Sequence, residues 1–372
     1  MLKIGITGQN GFVGTHLYNT LGLQPEKFER IPFERSFFEN ENLLDAFVQQ
    51  CDVVVHLAAM NRHPEPEVVY QTNIDLVRQL IHSLERTKSK AHVLFSSSSQ
   101  EERDNLYGKS KKEGRRLLAN WATLKGGKFT GLVIPNVFGP FGLPNYNSFI
   151  ATFCHKLTHD EIPQIDHDGE VNLIYVGELV QKIIAQIESE KSCDLYEVPY
   201  TTTQKVSDVL ALLQTYKAQY FNNGEIPMIQ NAFEHQLFNT YRSYIDHKSY
   251  FPVKFTQHTD PRGAFVEVIR IGIGGQCSFS TTVPGITRGN HYHTRKIERF
   301  AVIKGKALIQ LRKIGTDEVL DFYLDGNEPA YVDMPIWYTH NIKNIGDEEL
   351  YTIFWINEAF NPEDSDTYFE EV

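Results

Sequence analysis

The stretch Leu2–Gly14, LKIGITGQNGFVG, decides how the first half of the chain folds. Its apolar run Leu2–Thr7 predicts a buried strand, and a helical pattern from Phe12 to about Leu21 follows a glycine-rich turn. Glycines at positions 8, 11 and 14 allow a tight turn, a close approach of the backbone to a phosphate group, and close packing of the helix on the strand. The start of the helix then offers free N–H groups to that phosphate.

Apolar strand signals alternate with helical signals through the rest of the first half. Further buried strands are predicted at Phe28–Phe33, Asp52–Leu57, His92–Ser96 and Gly131–Ile134. Helical spacing occurs at Glu67–Thr87 and Lys109–Trp121. Apolar strands that alternate with helices are typical of a parallel sheet covered on both faces. The first half is therefore predicted to be an α/β, Rossmann-type doubly wound domain.

Near residue 250 the pattern changes to short β-type runs punctuated by Gly, Pro, Asn or Asp. These runs are Phe265–Ile271, Gln276–Thr282, Arg299–Ile303, Ala307–Arg312, Val319–Leu324, Ala330–Asp333 and Leu350–Ile356. They predict an all-β sandwich or small barrel. We therefore expect a first domain over residues 1–248, with a helical cap from about 200 to 248, and a second domain over 249–372.

The composition excludes several kinds of partner and location. The chain has 36 Lys and Arg against 47 Asp and Glu, a net charge of −11, so nucleic acid or an anionic membrane surface is not expected as its main partner. The longest apolar run, near Val53–Met60, is too short to span a bilayer. The 4 cysteines form no CxxC pair, which suits a reducing compartment. We expect a cytoplasmic protein without a targeting segment.

The segment from Tyr107 to Lys111 predicts an acid–base pair. On a helix these two residues share one face, and the ammonium of Lys111 is expected to lower the pKa of Tyr107, making it a proton donor near neutral pH. The serine run 96–99 ends the preceding strand. A hydroxyl there can hold a substrate carbonyl while Tyr107 protonates it, and the choice among the serines stays open.

Together these features resemble the short-chain dehydrogenase/reductases, in their extended nucleotide-sugar branch. The matching pieces cover about residues 1–245 and are Thr7–Gly14, His56–Ala59, Asn73, the serine run, Tyr107–Lys111 and Pro135–Pro140. The resemblance implies that Tyr107 is the general acid, Lys111 its pKa-lowering partner and Ser98 the serine that holds the carbonyl. Only eight residues separate Ser98 from Tyr107, fewer than in most relatives, so the substrate-contacting loop is shortened.

The same resemblance implies a bound nicotinamide dinucleotide. Its binding residues would be Gly8, Asn10, Gly11, Phe12, Val13, Gly14, Arg35, Leu57, Ala58, Lys111 and Asn136. Arg30 and Arg35 lie near the end of the predicted second strand, beside Glu29 and Glu34. A basic side chain there can receive a 2′-phosphate, which favours NADPH over NADH, although either arginine can instead be solvated surface.

Two spaced motifs in the second half indicate a metal site. They are Gly285-x5-His291-x-His293-x4-Glu298-x6-Gly305 and Pro335-x-Trp337-x2-His340-x3-Asn344. On a strand His291 and His293 share a face, and Glu298 on the neighbouring strand with His340 from a distant one completes the set. Three imidazoles and a carboxylate suit Zn²⁺ or another divalent transition metal. The alternative for the two nearer histidines is an exposed polar strand face.

This pattern resembles the double motif of the cupins, whose fold is a β-barrel or jelly roll, with Trp337 where a glycine is usual. Segments 260–267 and 284–291 also resemble the nucleotide-sugar 3,5-epimerases of the cupin class. In those enzymes the first motif histidine is a base that acts without a metal. The resemblance implies that His291 is catalytic, although here it can be a ligand and the base another group. Other candidates for the base are Tyr292, Tyr338 and Lys296.

Chemistry sets the order of two such reactions. Inverting a carbon next to a ketone needs an acidic proton and a stabilised enolate, and reduction of the ketone removes that acidity. Epimerisation would therefore precede hydride transfer. A fusion in this order resembles the bifunctional capsule and O-antigen enzymes that act on UDP-2-acetamido-2,6-dideoxy-hexos-4-ulose.

That resemblance spans nearly the whole chain, including the tail segments Trp355–Pro362 and Asp366–Phe369. It implies that the cupin epimerises C3 and that the first domain reduces the C4 ketone with NADPH. The product would be UDP-2-acetamido-2,6-dideoxy-L-talose, on the route to UDP-N-acetyl-L-fucosamine. The resemblance also implies zinc in the cupin, a UDP-sugar substrate and a homodimer joined largely through the cupin.

Three other functions stay open. The protein can be a reductase alone, with the cupin as a non-catalytic dimerisation or sensing module. The first domain can be a redox-neutral epimerase or dehydratase that keeps its nicotinamide bound. The chain can also be an NADPH-binding regulatory protein without turnover.

Overall fold

The computed structural model describes residues 1–189, 191–260, 263–266, 268–269, 274–358 and 361–372. The chain divides into two compact units: Met1–Phe149 with His167–Val206, and Ile150–Asp166 with Ser207–Val372. The sequence prediction placed the helical segment from about 200 to 248 in the first domain, whereas this division places Ser207 onward in the second unit. The functional domain boundary at residue 248 stays a prediction.

Strands and helices follow the alternation expected from the sequence. The strands are β1 Leu2–Thr7, β2 Phe28–Ile31, β3 Val53–His56, β4 His92–Ser98, β5 Lys128–Ile134, β6 Asn136–Phe138, β7 Glu170–Tyr175, β8 Cys193–Glu197, β9 Thr202–Lys205, β10 Val253–Lys254, β11 Gln257–Asp260, β12 Gly263–Val266, β13 Gln276–Thr282, β14 Thr287–Tyr292, β15 Glu298–Lys304, β16 Lys306–Lys313, β17 Val319–Asp325, β18 Ala330–Met334, β19 Tyr338–Asn344, β20 Leu350–Ile356 and β21 Tyr368–Phe369. The helices are α1 Phe12–Gly22, α2 Glu41–Gln50, α3 Pro66–Thr87, α4 Leu106–Lys125, α5 Phe149–Thr158, α6 Val176–Ser189, α7 Val206–Tyr216, α8 Ala232–Arg242 and α9 His247–Tyr250.

The first unit contains a parallel sheet in the order β2-β1-β3-β4-β5-β8. One face is covered by a core that includes Leu17 and Ile183, and the other by a core that includes Leu80 and Leu118. The doubly wound fold predicted from the sequence is thereby confirmed. The strand order reverses between β1 and β3, and in open α/β sheets ligands bind outside the carboxyl ends of the strands at such a point.

The second strand is shorter than predicted. β2 ends at Ile31 because Pro32 has no N–H with which to continue the parallel ladder. Phe33 instead donates its backbone N–H to Gln9 Oε1 at 3.2 Å. The prediction that this strand reaches Phe33 is therefore wrong, and the chain after β2 is held against the glycine-rich turn.

The second unit contains two antiparallel sheets that face each other across an apolar core. Their strand orders are β10-β18-β15-β20-β13 and β17-β16-β19-β14-β21. Ala301, Ile309, Val332 and Ile342 belong to the shared core. The predicted cupin jelly roll is confirmed, and the predicted strands 276–282 and 350–356 coincide with β13 and β20.

Some sequence predictions fall on residues outside this description. In the motif over 260–267, Arg262 and Glu267 lie outside the described residues, as does Phe360 of the tail. The predicted strand 265–271 extends into the same undescribed part. Among the helices given above, none has the length and apolar character that crossing a membrane requires.

Candidate functional sites

The glycine-rich turn lies at the carboxyl end of β1, beside the point where the strand order reverses. Gly8 has a φ of +77°, and a Cβ there would lie 2.9 Å from the backbone N of Ala58. A Cβ on Gly14 would lie 2.2 Å from the carbonyl oxygen of Gly8, so α1 packs directly on the turn. Because Gly11 precedes α1 and has no side chain to cap it, the first N–H groups of this helix can serve a phosphate.

Leu57 and Ala58 follow β3 directly, next to the glycine turn. Thr7 Oγ1 lies 2.7 Å from His56 Nδ1 and accepts a hydrogen bond from the N–H of Ala58 at 3.3 Å. Burial, with a contribution from Lys111, lowers the pKa of His56 to about 3, so this imidazole is neutral. The ends of β1 and β3 are therefore joined by an uncharged side-chain contact.

Asn73 joins the loop after β3 to α4. Its Oδ1 accepts a hydrogen bond from the N–H of Met60 at 2.7 Å, and its Nδ2 donates to the carbonyl of Met60 and to Ser110 Oγ, both at 3.0 Å. Ser110 in turn donates to the carbonyl oxygen of Tyr107 at 2.7 Å. This motif asparagine, to which the sequence assigned no role, links the predicted dinucleotide loop to the predicted acid.

The two arginines considered for a 2′-phosphate differ in their contacts. Arg30 lies 4.3 Å from the centre of the Tyr18 ring and donates to the carbonyl of Tyr18 at 3.2 Å, so α1 occupies its guanidinium. Arg35 is exposed and opens a short 3-10 turn after β2, which leaves it the better placed of the two. Asn10 and Asn136 are also exposed, the latter as the first residue of β6.

Tyr107 and Lys111 lie one turn apart in α4, as the sequence predicted. The ammonium of Lys111 lies 5.8 Å from the centre of the Tyr107 ring and donates to the carbonyl of Ser96 at 2.8 Å. Burial lowers the pKa of Lys111 to about 8, although Glu101 opposes this shift. A lysine with this pKa is still mainly protonated at pH 7.

The expected lowering of the pKa of Tyr107 is not what the structure shows. Burial, together with Tyr146, raises that pKa to about 12, while the ammonium of Lys111 is hydrogen-bonded to a backbone carbonyl. The predicted direction is therefore wrong, because it considered the neighbouring charge and not the burial of the phenol. A phenol with a raised pKa stays protonated at neutral pH, which is the state that a proton donor needs.

Three hydroxyls of the serine run have different partners. Ser96 Oγ donates to a backbone carbonyl at 3.2 Å, and Ser97 Oγ donates to the buried carboxylate of Glu101. Ser98 Oγ accepts a hydrogen bond from the N–H of Gln100 at 3.2 Å and is half buried. Because Ser98 acts as an acceptor there, its own O–H can donate to a carbonyl oxygen, as the resemblance implied. Its role in the reaction stays a prediction.

A buried ion pair, which the sequence analysis missed, holds the short loop between β4 and α4. Arg115 donates from Nε and Nη2 to the two carboxylate oxygens of Glu101, at 2.9 and 2.7 Å. Burial would raise the pKa of Glu101, but the hydrogen bonds from Arg115 and Ser97 hold it below its ordinary value. A Cβ on Gly108 would lie 2.0 Å from the carbonyl oxygen of Gln100, so α4 packs directly on this loop.

The second unit brings His291, His293, Glu298 and His340 together. One ligand atom from each residue lies within 4.8 Å of the others. Glu298 Oε2 is 3.3 Å from His293 Nε2 and 3.2 Å from His340 Nε2. The ring centre of His291 is 4.5 Å from that of His340 and 5.1 Å from that of His293.

The donor set fits a divalent transition metal. His340 Nε2 is buried and has no well-formed hydrogen bond within the described part of the chain, although the carboxylate of Glu298 lies only 3.2 Å away. A buried polar atom in this state is rare and calls for a partner. Three imidazole nitrogens and one carboxylate are the ligands that zinc and similar ions use. Metal binding itself stays a prediction.

The four groups strongly influence one another's charge. Burial lowers the pKa of His291 to about 4, with further lowering by His340 and His293. Burial would also lower the pKa of His293, but its hydrogen bond with Glu298 raises it instead. Burial would raise the pKa of Glu298, whereas its hydrogen bond with His293 and the close approach of His340 hold it well below its usual range. A negative carboxylate therefore faces the imidazoles.

The strands that carry these residues are arranged differently from the prediction. His340 lies in β19, which pairs directly with β14, and it is the register partner of His291. Glu298 begins β15, which belongs to the other sheet, so the prediction of a neighbouring strand is wrong. His293 lies just beyond the end of β14. Strand pairing depends on contacts between distant segments, which local spacing does not contain.

Trp337 occupies the position where the cupin pattern has a glycine. Its φ of +61° is left-handed, the conformation that glycine adopts most readily. Its N–H donates to the carbonyl of His293 at 2.8 Å, and its indole is buried and stacked on Tyr292 with ring centres 5.6 Å apart. Trp337 therefore adopts the left-handed backbone conformation expected of the usual glycine, next to the predicted ligand His293.

Other candidates for a base have structural contacts. Tyr292 is also stacked on Tyr368, and Lys296 donates to the carbonyl of Ser365 at 2.8 Å. Burial raises the pKa of Tyr338 to about 12. His291 is half buried while the other three members of its cluster are fully buried. The most accessible imidazole is thus the one that the resemblance assigned to catalysis.

Comparisons with known proteins agree with the two-part architecture. Residues 4–198 match the NAD dependent epimerase/dehydratase family, and residues 258–368 match the Polysaccharide biosynthesis C-terminal domain. The UDP-2-acetamido-2,6-beta-L-arabino-hexul-4-ose reductase of Pseudomonas aeruginosa is 32% identical over 372 residues, which are 99% of this chain and 98% of that protein.

Solved structures match over the full length as well. The capsular polysaccharide assembling protein CapF from Staphylococcus aureus is 35% identical, with a TM-score of 0.62 over 99% of this chain and 100% of that one. A structure of CapF with the inhibitor 3-isopropenyl-tropolone is 33% identical, with a TM-score of 0.59 over 100% of both chains. The chain therefore belongs to the NAD dependent epimerase/dehydratase family, in the branch that joins a short-chain dehydrogenase/reductase to a C-terminal cupin.

Proposed function

We propose that the chain is a bifunctional enzyme that epimerises C3 of a UDP-2-acetamido-2,6-dideoxy-4-hexulose and then reduces its C4 ketone with NADPH. The product would be UDP-2-acetamido-2,6-dideoxy-L-talose, on the route to UDP-N-acetyl-L-fucosamine for capsule or O-antigen. The Pseudomonas relative, matched over nearly its whole length, is named as a reductase of a UDP-keto-sugar and supports this substrate class. The observation that carries the proposal is one chain with both the Tyr107–Lys111 pair and the His/Glu cluster.

In the cupin we assign proton transfer at C3 to His291. It is the half-buried member of the cluster, so a substrate can approach it more easily than the buried members. His293, Glu298 and His340 would hold a divalent metal, so that His291 keeps a lone pair for the C3 proton. The metal would supply positive charge that stabilises an enolate oxygen. The proton leaves C3 and another returns to the opposite face, so this step needs no oxidant or reductant.

The wall beside the cluster suits a sugar. Phe300 and Phe354 are register partners on β15 and β20, with ring centres 5.6 Å apart, and both are half buried. The ring centre of Phe300 lies 6.1 Å from that of His340. The hydroxyls of Ser280 and Thr352 are 2.8 Å apart on the same face. Aromatic rings with a few polar groups can bind the C–H faces and hydroxyl edges of a carbohydrate.

In the first unit we assign protonation of the ketone oxygen to Tyr107, whose raised pKa keeps it protonated at pH 7. The O–H of Ser98 would hold the same oxygen. The ammonium of Lys111 would stabilise the tyrosinate that remains after proton transfer. A bound nicotinamide would supply the hydride to C4, and the exposed Arg35 in the 3-10 turn after β2 supports NADPH as its source.

The experiment uses the purified protein and the UDP-keto-sugar in D₂O, with product analysis by NMR. Without NADPH, deuterium should enter at C3; with NADPH, one equivalent should be oxidised as the C4 alcohol forms. Tyr107→Phe should abolish NADPH oxidation and leave C3 exchange intact, whereas His291→Ala should abolish exchange. Tyr18→Phe is a matched control, because that ring lies in α1 and contacts Arg30 of β2. Equal loss of both activities in both variants would contradict the division of labour.

The same experiment separates the alternative functions. If the wild type reduces the ketone but never exchanges C3, the cupin is a non-catalytic module. If NADPH is not consumed in proportion to product, the first domain is a redox-neutral enzyme.

The proposed zinc is supported by the donor set, and by the inhibitor found with CapF, since tropolones carry two adjacent oxygens that chelate divalent metals. A homodimer, implied by the family resemblance, remains part of the proposal.

A further inference from the structure

The C-terminal tail contains a buried carboxylate next to the His/Glu cluster. Asp366 lies between β20 and β21 and is only 3% exposed. Its Oδ1 accepts hydrogen bonds from the N–H and hydroxyl of Thr294, at 3.0 and 2.6 Å. Its Oδ2 accepts from the N–H groups of Arg295 and Lys296, at 3.0 and 3.1 Å. Three successive N–H groups thus converge on one anion, an arrangement that binds negative charge well.

The turn held by this carboxylate connects two predicted metal ligands. His293 directly precedes it, and Glu298 follows it by two residues. Because the chain between these ligands is short, the conformation of the turn sets the distance and direction between the imidazole and the carboxylate. Lys296 adds a second attachment, since its buried ammonium donates to the carbonyl of Ser365 at 2.8 Å.

The backbone of Asp366 also contacts one ligand directly. Its carbonyl oxygen accepts a hydrogen bond from His293 Nδ1 at 2.5 Å. A carbonyl oxygen can only accept, so Nδ1 carries a proton, and Nε2, 3.3 Å from Glu298 Oε2, is the nitrogen that would bind an ion after losing its own proton. Partners of this kind fix the tautomer and orientation of metal-binding histidines. The left-handed φ of Asp366, +41°, turns the carbonyl and carboxylate toward the same segment.

We propose that Asp366 is a positioning residue for the metal ligands of the cupin. Its carboxylate sets the conformation of the 294–296 turn, and its carbonyl holds the His293 ring with Nε2 directed into the His/Glu cluster. The tail also pairs with the strand of His291 through Phe369, and Glu370 donates its N–H to the carbonyl of Asn290 at 3.0 Å. This inference rests on the proposed metal site, and it assigns the C-terminal tail to the function of that site.

The test compares metal binding by the full-length wild type, Asp366→Asn and Asp364→Asn. Asparagine tolerates a left-handed backbone but supplies only one acceptor oxygen, so the first variant weakens the turn without forcing a new conformation. Asp364 is a matched control in the same tail. Its carboxylate is 65% exposed and pairs with the guanidinium of Arg295, whereas Asp366 binds the backbone N–H groups of the turn. Zn²⁺ affinity is measured by competition with a chelator, and the visible spectrum of the Co²⁺ form reports ligand geometry.

Asp366→Asn should lose about 10–100-fold in Zn²⁺ affinity, as expected for the partner of a ligating histidine, and should change the Co²⁺ spectrum. Asp364→Asn should stay within about twofold of the wild type, as expected for an exposed pair. The melting temperatures of the metal-free proteins show whether a variant is less stable, so a loss of Zn²⁺ affinity can be distinguished from a general loss of folding. If Asp366→Asn lowers the melting temperature yet binds Zn²⁺ like the wild type, the inference is overturned. A wild type that takes up no metal overturns the metal site itself.

Discussion

Replacing Arg115 by methionine tests whether the buried ion pair holds the loop between the proposed catalytic residues Ser98 and Tyr107. In the native chain the guanidinium makes two hydrogen bonds to Glu101, and the side chains of Arg115 and Glu101 are 11% and 3% exposed. Methionine preserves much of the length of the arginine stem. The substitution therefore leaves a buried carboxylate with Ser97 as its remaining side-chain partner among those described above.

The size of the effect follows from that burial. Removing one partner of a buried ion pair costs about 3–5 kcal/mol of unfolding free energy, because a charge stays in a poorly solvated place. Changing both partners, Arg115→Met with Glu101→Leu, removes that charge. The double variant should recover to within about 1–2 kcal/mol of the wild type, the remaining cost being the unpaired hydroxyl of Ser97 and the carbonyl of Asp194, which loses its hydrogen bond from Arg115 Nη1.

Urea denaturation can report on the first unit alone. Of the 3 tryptophans, Trp121 lies in α4, while Trp337 and Trp355 belong to the second unit. In a background with both of the latter changed to phenylalanine, fluorescence follows unfolding of the first unit. Lys125→Met is the matched control: it removes a cation from the same helix, but Lys125 is 56% exposed and lies 3.4 Å from Glu85. We expect a cost of about 0–1 kcal/mol there.

The pH dependence gives a second criterion. In the native chain the pKa of Glu101 lies below its ordinary 4.5, so its ionised form stabilises the fold above that pH, and this contribution is lost as the pH falls. In Arg115→Met, burial is no longer opposed by the guanidinium, so the pKa should rise above the ordinary value. The loss of unfolding free energy in Arg115→Met should be largest at pH 7–8 and should shrink as the pH falls and the carboxyl of Glu101 becomes protonated. The reasoning would be refuted if Arg115→Met lost no more unfolding free energy than Lys125→Met. It would also be refuted if the difference in unfolding free energy between the wild type and Arg115→Met did not narrow toward pH 5.

Two further predictions concern one residue in each unit. Burial lowers the pKa of Lys111 to about 8, so the rate of NADPH oxidation should fall as the pH rises through 8 and the lysine loses its proton, whereas C3 exchange in D₂O should not follow that titration. Trp337→Gly should relieve left-handed strain of about 1–3 kcal/mol but remove a buried indole worth about 3–5 kcal/mol, so a urea melt followed by Trp355 should show net destabilisation. A more stable variant would contradict this balance.

The elements predicted correctly are those whose own residues carry the signal. The apolar runs of β1 and β20 predicted their bounds, because burial on a sheet requires such runs. The strands β14 and β19 were not among those predicted from β-type runs, since their sequences TRGNHY and YTHNIKN are largely polar, and only the histidine motifs placed strands there. They are polar because they carry His291 and His340 into the cluster. The side chains of the proposed metal site therefore replace the apolar residues that would have predicted these two strands.

The same limit applies to the sites. The identities of the four clustered residues could be predicted from spacing, since each motif places its ligands within a few residues. The direct pairing of His291 with His340 could not, because it depends on how distant strands meet. The shift in the pKa of Tyr107 was predicted with the wrong sign for a similar reason: the neighbouring lysine is visible in the sequence, but the burial that dominates is a property of the packed chain.

The two carboxylates that the sequence analysis missed share a physical role. Glu101 holds the loop between the serine run and Tyr107, and Asp366 holds the turn between His293 and Glu298. Glu101 binds the guanidinium of Arg115, and Asp366 binds backbone N–H groups. An apolar side chain at either position would leave these donors without hydrogen-bond acceptors. Burying a carboxylate is unfavourable by itself, and it becomes acceptable only where several donors converge on it. Such positions couple the conformation of a loop beside a proposed site residue to one ionised group, so a neutral replacement there should lower both the stability of its unit and the proposed activity.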